Sequence, residues 1–228
     1  MDDGMDWDAA GAPPLDALFV AGTAAERAFA VRMALRHGIP VLAEWPAAAS
    51  RREFEALVAL SEEAGVELAV ARTVRHLDVL RAAPCDARLV TVARTLAPPR
   101  SLVAALPDVL DVVARLVGSY DVRRVDASAV RASAAAPHAV GVSVRFGSGA
   151  LALATIAHGP PSFAADAYRP DPAAAVFRAV LAPGTDARRD ARDRETAAFL
   201  ARLGTGHAPS ASVMPLLRLA ERVAARLR

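Results

Sequence analysis

The sequence predicts an α/β fold: a parallel sheet built from consecutive βαβ units, then an α+β half with a mostly antiparallel sheet. Three observations predict it. Between residues 15 and 71, short apolar runs alternate with stretches of helical periodicity, and parallel strands buried on both faces read as continuous apolar runs. Beyond residue 84 the apolar runs lengthen, and two of them flank Gly147-Ser148-Gly149, a hairpin signal with Gly available for positive φ. Hydrophobic residues make up 54% of the 228, enough to fill the core of one large domain or two small ones.

The elements follow in order. Residues 1–14 are acidic, then Pro-rich, and read as a flexible leader. Leu15 to Ala21 is the first strand. Ala24 to His37 is a helix with Ala28, Val31 and Leu35 on one face, and Gly38 stands where a C-terminal cap belongs. Ile39 to Ala43 is the second strand. Ser50 to Glu53 reads as a capping box, in which hydroxyl and carboxylate each satisfy an orphan N–H. Phe54, Leu57, Val58 and Ser61 continue that helix, Gly65 closes it, and Val66 to Ala71 is the third strand. Two successive βαβ units require right-handed crossovers. After Pro84, Arg88 to Leu96 is β-prone and Leu102 to Val117 is helical, ending at Gly118. Strands are expected at Val122 to Val130, Ala139 to Phe146, Ala150 to Ala157 and Ala173 to Leu181. Helices over about 190–203 and 213–227 end the chain. In the last, Leu216, Leu219, Ala220, Val223 and Leu227 form one stripe. The expected organisation is a leader over 1–14, a parallel-sheet unit over 15–84 and an α+β unit over 85–228.

Composition removes several function classes. The chain has no Lys, Asn or Gln, and all 27 cationic residues are Arg. A Schiff-base lysine and an amide orienter are therefore impossible within it. The sequence pI is about 9.3 but the formal charge is only +2, which does not argue for a nucleic-acid partner. Cys85 is the single cysteine, so no internal disulfide framework or cysteine-rich zinc site can form. No uncharged run reaches about 18 strongly apolar residues, and the first residues are acidic; neither a membrane span nor a secretory signal is expected. With one thiol, the expected compartment is the cytoplasm.

Few motifs carry chemistry. Glu44-Trp45-Pro46 ends the second strand at the carboxyl edge of the sheet, where open α/β sheets bind ligands; the alternative is a plain strand exit with Trp45 covering the next helix. Asp108 and Asp111 lie three apart on one helix face. They read either as paired carboxylates for acid–base work or as a solvated helix start. His76 reaches the same sheet edge. The five histidines, His37, His76, His138, His158 and His207, include no pair at metal-binding helical spacing, so no metal is expected. His37 falls in a last helical turn, where a cation complements the dipole. Gly147-x-Gly149 lacks a third Gly and lies between strands, and Gly204-Thr205-Gly206 joins helices. Neither makes a dinucleotide loop. No Gly-x-Ser-x-Gly elbow or P-loop occurs.

The segments LDALFVAGTAAERAFAVRMALRHGIPVLAEWP and SRREFEALVALSEEAGVELAVARTVRH resemble the back half of the nucleotide-binding domain of the Gfo/Idh/MocA oxidoreductases. The helix, Gly38, Glu44, Pro46 and Ser50 register without a gap. LPDVLDVVARLVGS resembles the helix that carries that family's catalytic Asp and His, and VGVSVRFGSGALALATIA resembles its sheet hairpin. The resemblance implies a Rossmann-like first half and, in an ordinary member, NAD(P)-dependent oxidation of a sugar-like or other small substrate.

The departures are specific. The family's GxGxxG unit, a βαβ of about 30 residues or more, precedes the matched segments, and residues 1–14 are too few to supply it. The expectation is a truncated Rossmann-like half. The resemblance puts the family's lysine at Trp45, its catalytic Asp at Ala104, its catalytic His at Asp108, and its strand-exit Pro and following His at Thr23 and Arg27. The expected function is therefore an accessory or binding protein without NAD(P) chemistry. The alternative is an active NAD(P)-dependent oxidoreductase with an atypical site or a partner-supplied nucleotide loop. If the cleft survives, Asp108, Asp111 and His76 are the candidate catalytic residues, and Thr23, Glu44 and Trp45 the candidate cofactor contacts. Without further strands, Leu18-Phe19-Val20 becomes an apolar edge that needs cover from the leader or another chain. A homo-oligomer or hetero-partner through that edge or through an open sheet face is expected, with no nucleic acid and no membrane.

Overall fold

A computed structural model describes residues 15–83, 85–98, 101–131, 137–169, 177–181, 185–203 and 213–227. The leader over 1–14, the turn at 204–206 and part of the expected strand from 173 lie outside the described residues. The first sheet has three parallel strands in the order β1 (Leu18–Val20), β2 (Val41–Ala43), β3 (Leu68–Val70). These are shorter than the apolar runs around them. Helices α1 (Ala24–Arg36) and α2 (Arg51–Ala64) connect them. His37 caps α1 and Gly38 follows at φ +71°, while Gly65 ends α2 in the left-handed conformation. The Ser50 box forms in altered register. The Ser50 hydroxyl accepts from the Glu53 N–H, but the Glu53 carboxylate accepts from Ala49 N at 2.9 Å rather than from Ser50. A complete box that the reading overlooked, Thr23 with Glu26, starts α1.

A 3₁₀ turn (Thr73–His76) and the short α3 (Asp78–Arg81) lead into the second sheet. Its strands are β4 (Leu89–Leu96), β5 (Val122–Val130), β6 (Ala139–Phe146), β7 (Leu151–His158), β8 (Ser162–Tyr168) and β9 (Phe177–Leu181), in spatial order β5-β6-β7-β4-β8-β9. All neighbours are antiparallel except β4 and β7. Hairpin order thus holds for β5 to β7, but β4 inserts beside β7. Strand β8 was not expected. Its inward residues Phe163, Ala165 and Ala167 are mostly alanine, which carries little β signal.

Helix α4 (Leu106–Val117) begins four residues later than its apolar pattern, and residues 102–105 form turns. Pro107 explains the late start: it lacks an N–H and crowds the carbonyl four residues back, so it belongs in the first helical turn. Helix α4 and helix α6 (Met214–Arg226) pack on the inner face of the six-stranded sheet, where Val109, Leu110, Val113, Leu116, Leu219 and Val223 join one core with Val142, Val144 and Ile156. Helix α5 (Thr185–Leu200) returns to the first sheet, where Phe199 packs on Leu42, Ala69 and Ala71. The parallel sheet is thus covered on the opposite face from α1 and α2, whose residues Val31, Leu35, Phe54 and Leu57 form its other core. The outer face of the large sheet carries small side chains, with Leu153 and Val180 exposed. At the β1 edge Phe19 is also exposed, and the Arg192 guanidinium lies 5.9 Å from its ring centre.

Candidate functional site

The carboxyl ends of β1, β2 and β3 open towards α4, the place where α/β sheets bind ligands. At β1, the Thr23 hydroxyl accepts from the Glu26 N–H at 3.3 Å, and Glu26 Oε2 accepts from Thr23 N at 2.7 Å. One turn on, Arg27 is buried at the sheet edge. It donates to the Pro46 carbonyl at 2.7 Å and to the Gly22 carbonyl, and lies 3.4 Å from Glu44. Glu44 also sits 3.5 Å from Arg192 of α5. Trp45, whose peptide to Pro46 is cis, packs against the core under α1 and α2.

A second cluster locks the exit of β3 to α4. Arg75 donates through Nε and Nη2 to both oxygens of Asp111, with Nη2 to Oδ1 at 2.6 Å, and Nη2 also donates to the Tyr120 hydroxyl. Tyr120 donates to Asp111 Oδ1 at 2.9 Å, and Arg72 stands 3.7 Å from the same oxygen. Asp111 is only 2% exposed. Burial and then the Asp111 charge push the Tyr120 phenol up to about 12. Burial works against the Arg75 charge, yet its bonds to Asp111 hold the guanidinium above its ordinary value. Behind this cluster, Glu195 of α5 accepts from the Arg72 backbone N–H and from the Thr73 hydroxyl at 2.7 Å. Its carboxyl is raised by burial despite those bonds.

His76 lies 3.9 Å from Glu195. Burial, and then the positive charges of Arg202, Arg72, Arg75 and Arg81, lower its pKa below 6.5. A histidine held neutral in the fold charges more readily when unfolded. Its contribution is therefore complete above pH 6.5 and is lost as pH falls through the lowered folded value. Melting temperatures between pH 7.5 and 5 are expected to fall less steeply for His76→Gln than for the parent chain. Equal slopes would remove His76 from this role.

Asp108 and Asp111 do share a face of α4, but each is engaged. Asp108 Oδ2 accepts from Arg94 Nη1 at 2.7 Å, and Arg94 is itself buried in β4. Trp45, Arg72, Pro107, Asp108, Asp111 and Leu216 enclose a cavity of about 10 Å³, room for about one water. The structure therefore brings Trp45, Asp108 and Asp111 together. Thr23, Glu44 and His76 lie outside that lining; Thr23 caps α1, Glu44 pairs with two arginines and His76 faces Glu195. The sequence reading missed Arg72, Arg75, Arg94, Tyr120 and Glu195. Arg72 and Arg75, three apart at a strand exit, were a usable signal; Glu195 and Tyr120 come from distant segments with no spacing to connect them. Among the described residues no group of three metal-ligating side chains forms.

No family model matches the chain, and no curated protein matches it in sequence. Solved structures match its fold. UDP-N-acetylglucosamine 3-dehydrogenase GnnA from Acidithiobacillus ferrooxidans superimposes with a TM-score of 0.77 at 16% identity, over 93% of this chain and 79% of that one. A probable dehydrogenase from Thermotoga maritima gives 0.83 at 15%, over 94% and 79%. Scyllo-inositol dehydrogenase from Lactobacillus casei, solved with NAD(H) and scyllo-inositol, gives 0.76 at 13%, over 93% and 78%. The fold is that of the Gfo/Idh/MocA-type dehydrogenases. A member of that fold invites a test of the dinucleotide against the residues present. The described residues do not fit it. At the starts of α1 and α2 the carboxylates of Glu26 and Glu53 accept from Thr23 N and Ala49 N, and their negative charge opposes a phosphate at those helix ends. Arg27 is spent on carbonyls of its own chain. No helix is long and apolar enough to cross a membrane among the described residues.

Proposed function

We propose that this chain is a non-redox accessory or binding protein built on a Gfo/Idh/MocA-type fold. The supporting observation is the crevice between the parallel sheet and α4, which is filled by the chain's own ion pairs. A cavity of about 10 Å³ stands against the roughly 300–1,000 Å³ of ordinary ligand pockets. Both oxygens of Asp111 are committed to Arg75 and Tyr120, and Asp108 is held by Arg94. The buried Asp111 carboxylate is thereby kept from a substrate proton, which a general base must reach, and the partly exposed Asp108 is tied through Oδ2 to a buried arginine. The resemblance puts Trp45 where the family has its lysine, and the chain contains no lysine. Calorimetric titration of the chain with NADH and NADPH is expected to give no saturable heat up to millimolar cofactor. Micromolar binding would overturn the proposal and favour the oxidoreductase reading.

The accessory role calls for a partner surface, and the outer face of the large sheet, with Leu153 and Val180 exposed, is the candidate. We propose that a second copy docks there, over Thr91, Leu153, Thr155 and Ala164. Light scattering is expected to give a dimer that Leu153→Arg converts to a monomer; a monomer at every concentration of the parent chain contradicts it.

A further inference from the structure

We propose that the groove between β5 and α6 binds a small phosphorylated molecule through its phosphoryl groups. The groove measures about 270 Å³ and is lined by Arg123, Arg124, Val125, Arg222, Ala225 and Arg226. It shares no lining residue with the crevice at Trp45 and Asp111, and the inference is independent of how that crevice is read.

Charge is concentrated here against the average of the chain. The formal net charge of the protein is +2, yet four guanidinium groups converge on this one groove. A fifth, Arg145, sits directly across from Arg124 in the β5–β6 register. Like charges placed directly opposite in a sheet, or one turn apart on a helix as Arg222 and Arg226 are, destabilise the free protein. One carboxylate offsets them in part: Asp126 accepts from Arg124 at 2.7 and 3.2 Å and also feels the charges of Arg226 and Arg145, which leaves the cluster with a positive excess. Glu221, next to Arg222 in sequence, is turned to Arg51 at 3.1 Å. Among the described residues, Arg123 has neither a hydrogen bond nor an ion pair.

The backbone adds a second reason. The β5–β6 register shifts between Val122 and Arg124, so that Arg123 sits in a bulge. Bulges re-aim a side chain out of the pleat. Arg222 reaches the same spot from α6 and donates to the Val122 carbonyl at 3.3 Å. Arginines on an edge strand guard it against pairing, but that role does not account for helix arginines gathered into the same concavity. Planar guanidinium forks match phosphoryl oxygens in bidentate fashion. The groove is lined by six residues of one strand and one helix, whereas a nucleic-acid site needs an extended basic stripe. A compact ligand with one or two phosphoryl groups matches its size.

The test follows the melting temperature of the full chain against inorganic pyrophosphate, with sodium chloride holding ionic strength constant. A saturable rise is expected, half-complete at millimolar pyrophosphate or below. In R222Q/R226Q the rise should shrink at least fivefold, while R52Q, on a remote helix, keeps it. If the double variant fails to fold, R123Q alone at the exposed bulge should shrink the rise at least twofold. A rise no larger than that given by chloride, or one indifferent to these substitutions, overturns the proposal. So does tighter binding of a 20-nucleotide single strand that pyrophosphate cannot displace.

Discussion

Asp111→Ala is expected to lower the free energy of unfolding by about 3 kcal/mol. Removing one member of a buried ion pair typically costs about 3–5 kcal/mol, because the surviving charge stays out of water without a partner. The lower end applies because the Arg75 side chain keeps 25% of its exposure. Two groups lose their acceptor at once, the Arg75 fork and the Tyr120 hydroxyl, and Arg72 loses a counter-charge 3.7 Å away. Urea denaturation measures the loss directly. In the double variant Asp111→Ala with Arg75→Met, part of the stability should return, since an apolar replacement of a buried pair is often neutral. A single variant within about 1 kcal/mol of the parent, the range of an exposed pair, would show that the cluster is not the lock between the sheet edge and α4.

Gly118→Ala should cost about as much, for a different reason. Gly118 ends α4 at φ +75°, and an added Cβ would stand 2.0 Å from the Cys85 carbonyl oxygen. The left-handed conformation alone costs a non-glycine residue about 1–2 kcal/mol. The clash is with backbone, which no side-chain rotation relieves, and forced repacking adds about 1–3 kcal/mol. Gly38→Ala is the control. It has φ +71° with nothing within 4 Å, so it carries the conformational cost only. Equal losses at the two positions would contradict the close approach of residue 85 to the end of α4.

The first half was the more legible in sequence. Short apolar runs, a Gly after each helix and Ser50 before α2 are local signals, and local signals suffice for βαβ units. The second half depends on pairings far apart in the chain. Strand β4 lies between β7 and β8, and no periodicity within residues 89–96 says so. Strand β8 hid because alanine fills its inner face. Of the candidate site, Trp45, Asp108 and Asp111 line one crevice, and Glu44, expected beside them, lies outside it. What the sequence could not show is that Asp111 is taken up by side chains of its own chain. That depends on Arg75 and Tyr120 meeting Asp111, and on Glu195 reaching back over 123 residues to the Arg72 backbone. Such contacts are set by tertiary packing, and beyond the Arg72 and Arg75 pair at the strand exit no spacing signals them.

Trp45 provides the most direct probe of whether nicotinamide can enter. It lines the crevice at the end of β2, and the only other tryptophan is Trp7. In a Trp7→Phe background, emission from Trp45 is read while NADH is added, with correction for absorbance. The filled crevice predicts no saturable quenching and no sensitised NADH emission up to millimolar cofactor. Saturable energy transfer from Trp45 at micromolar NADH would mean that the crevice opens to a dinucleotide.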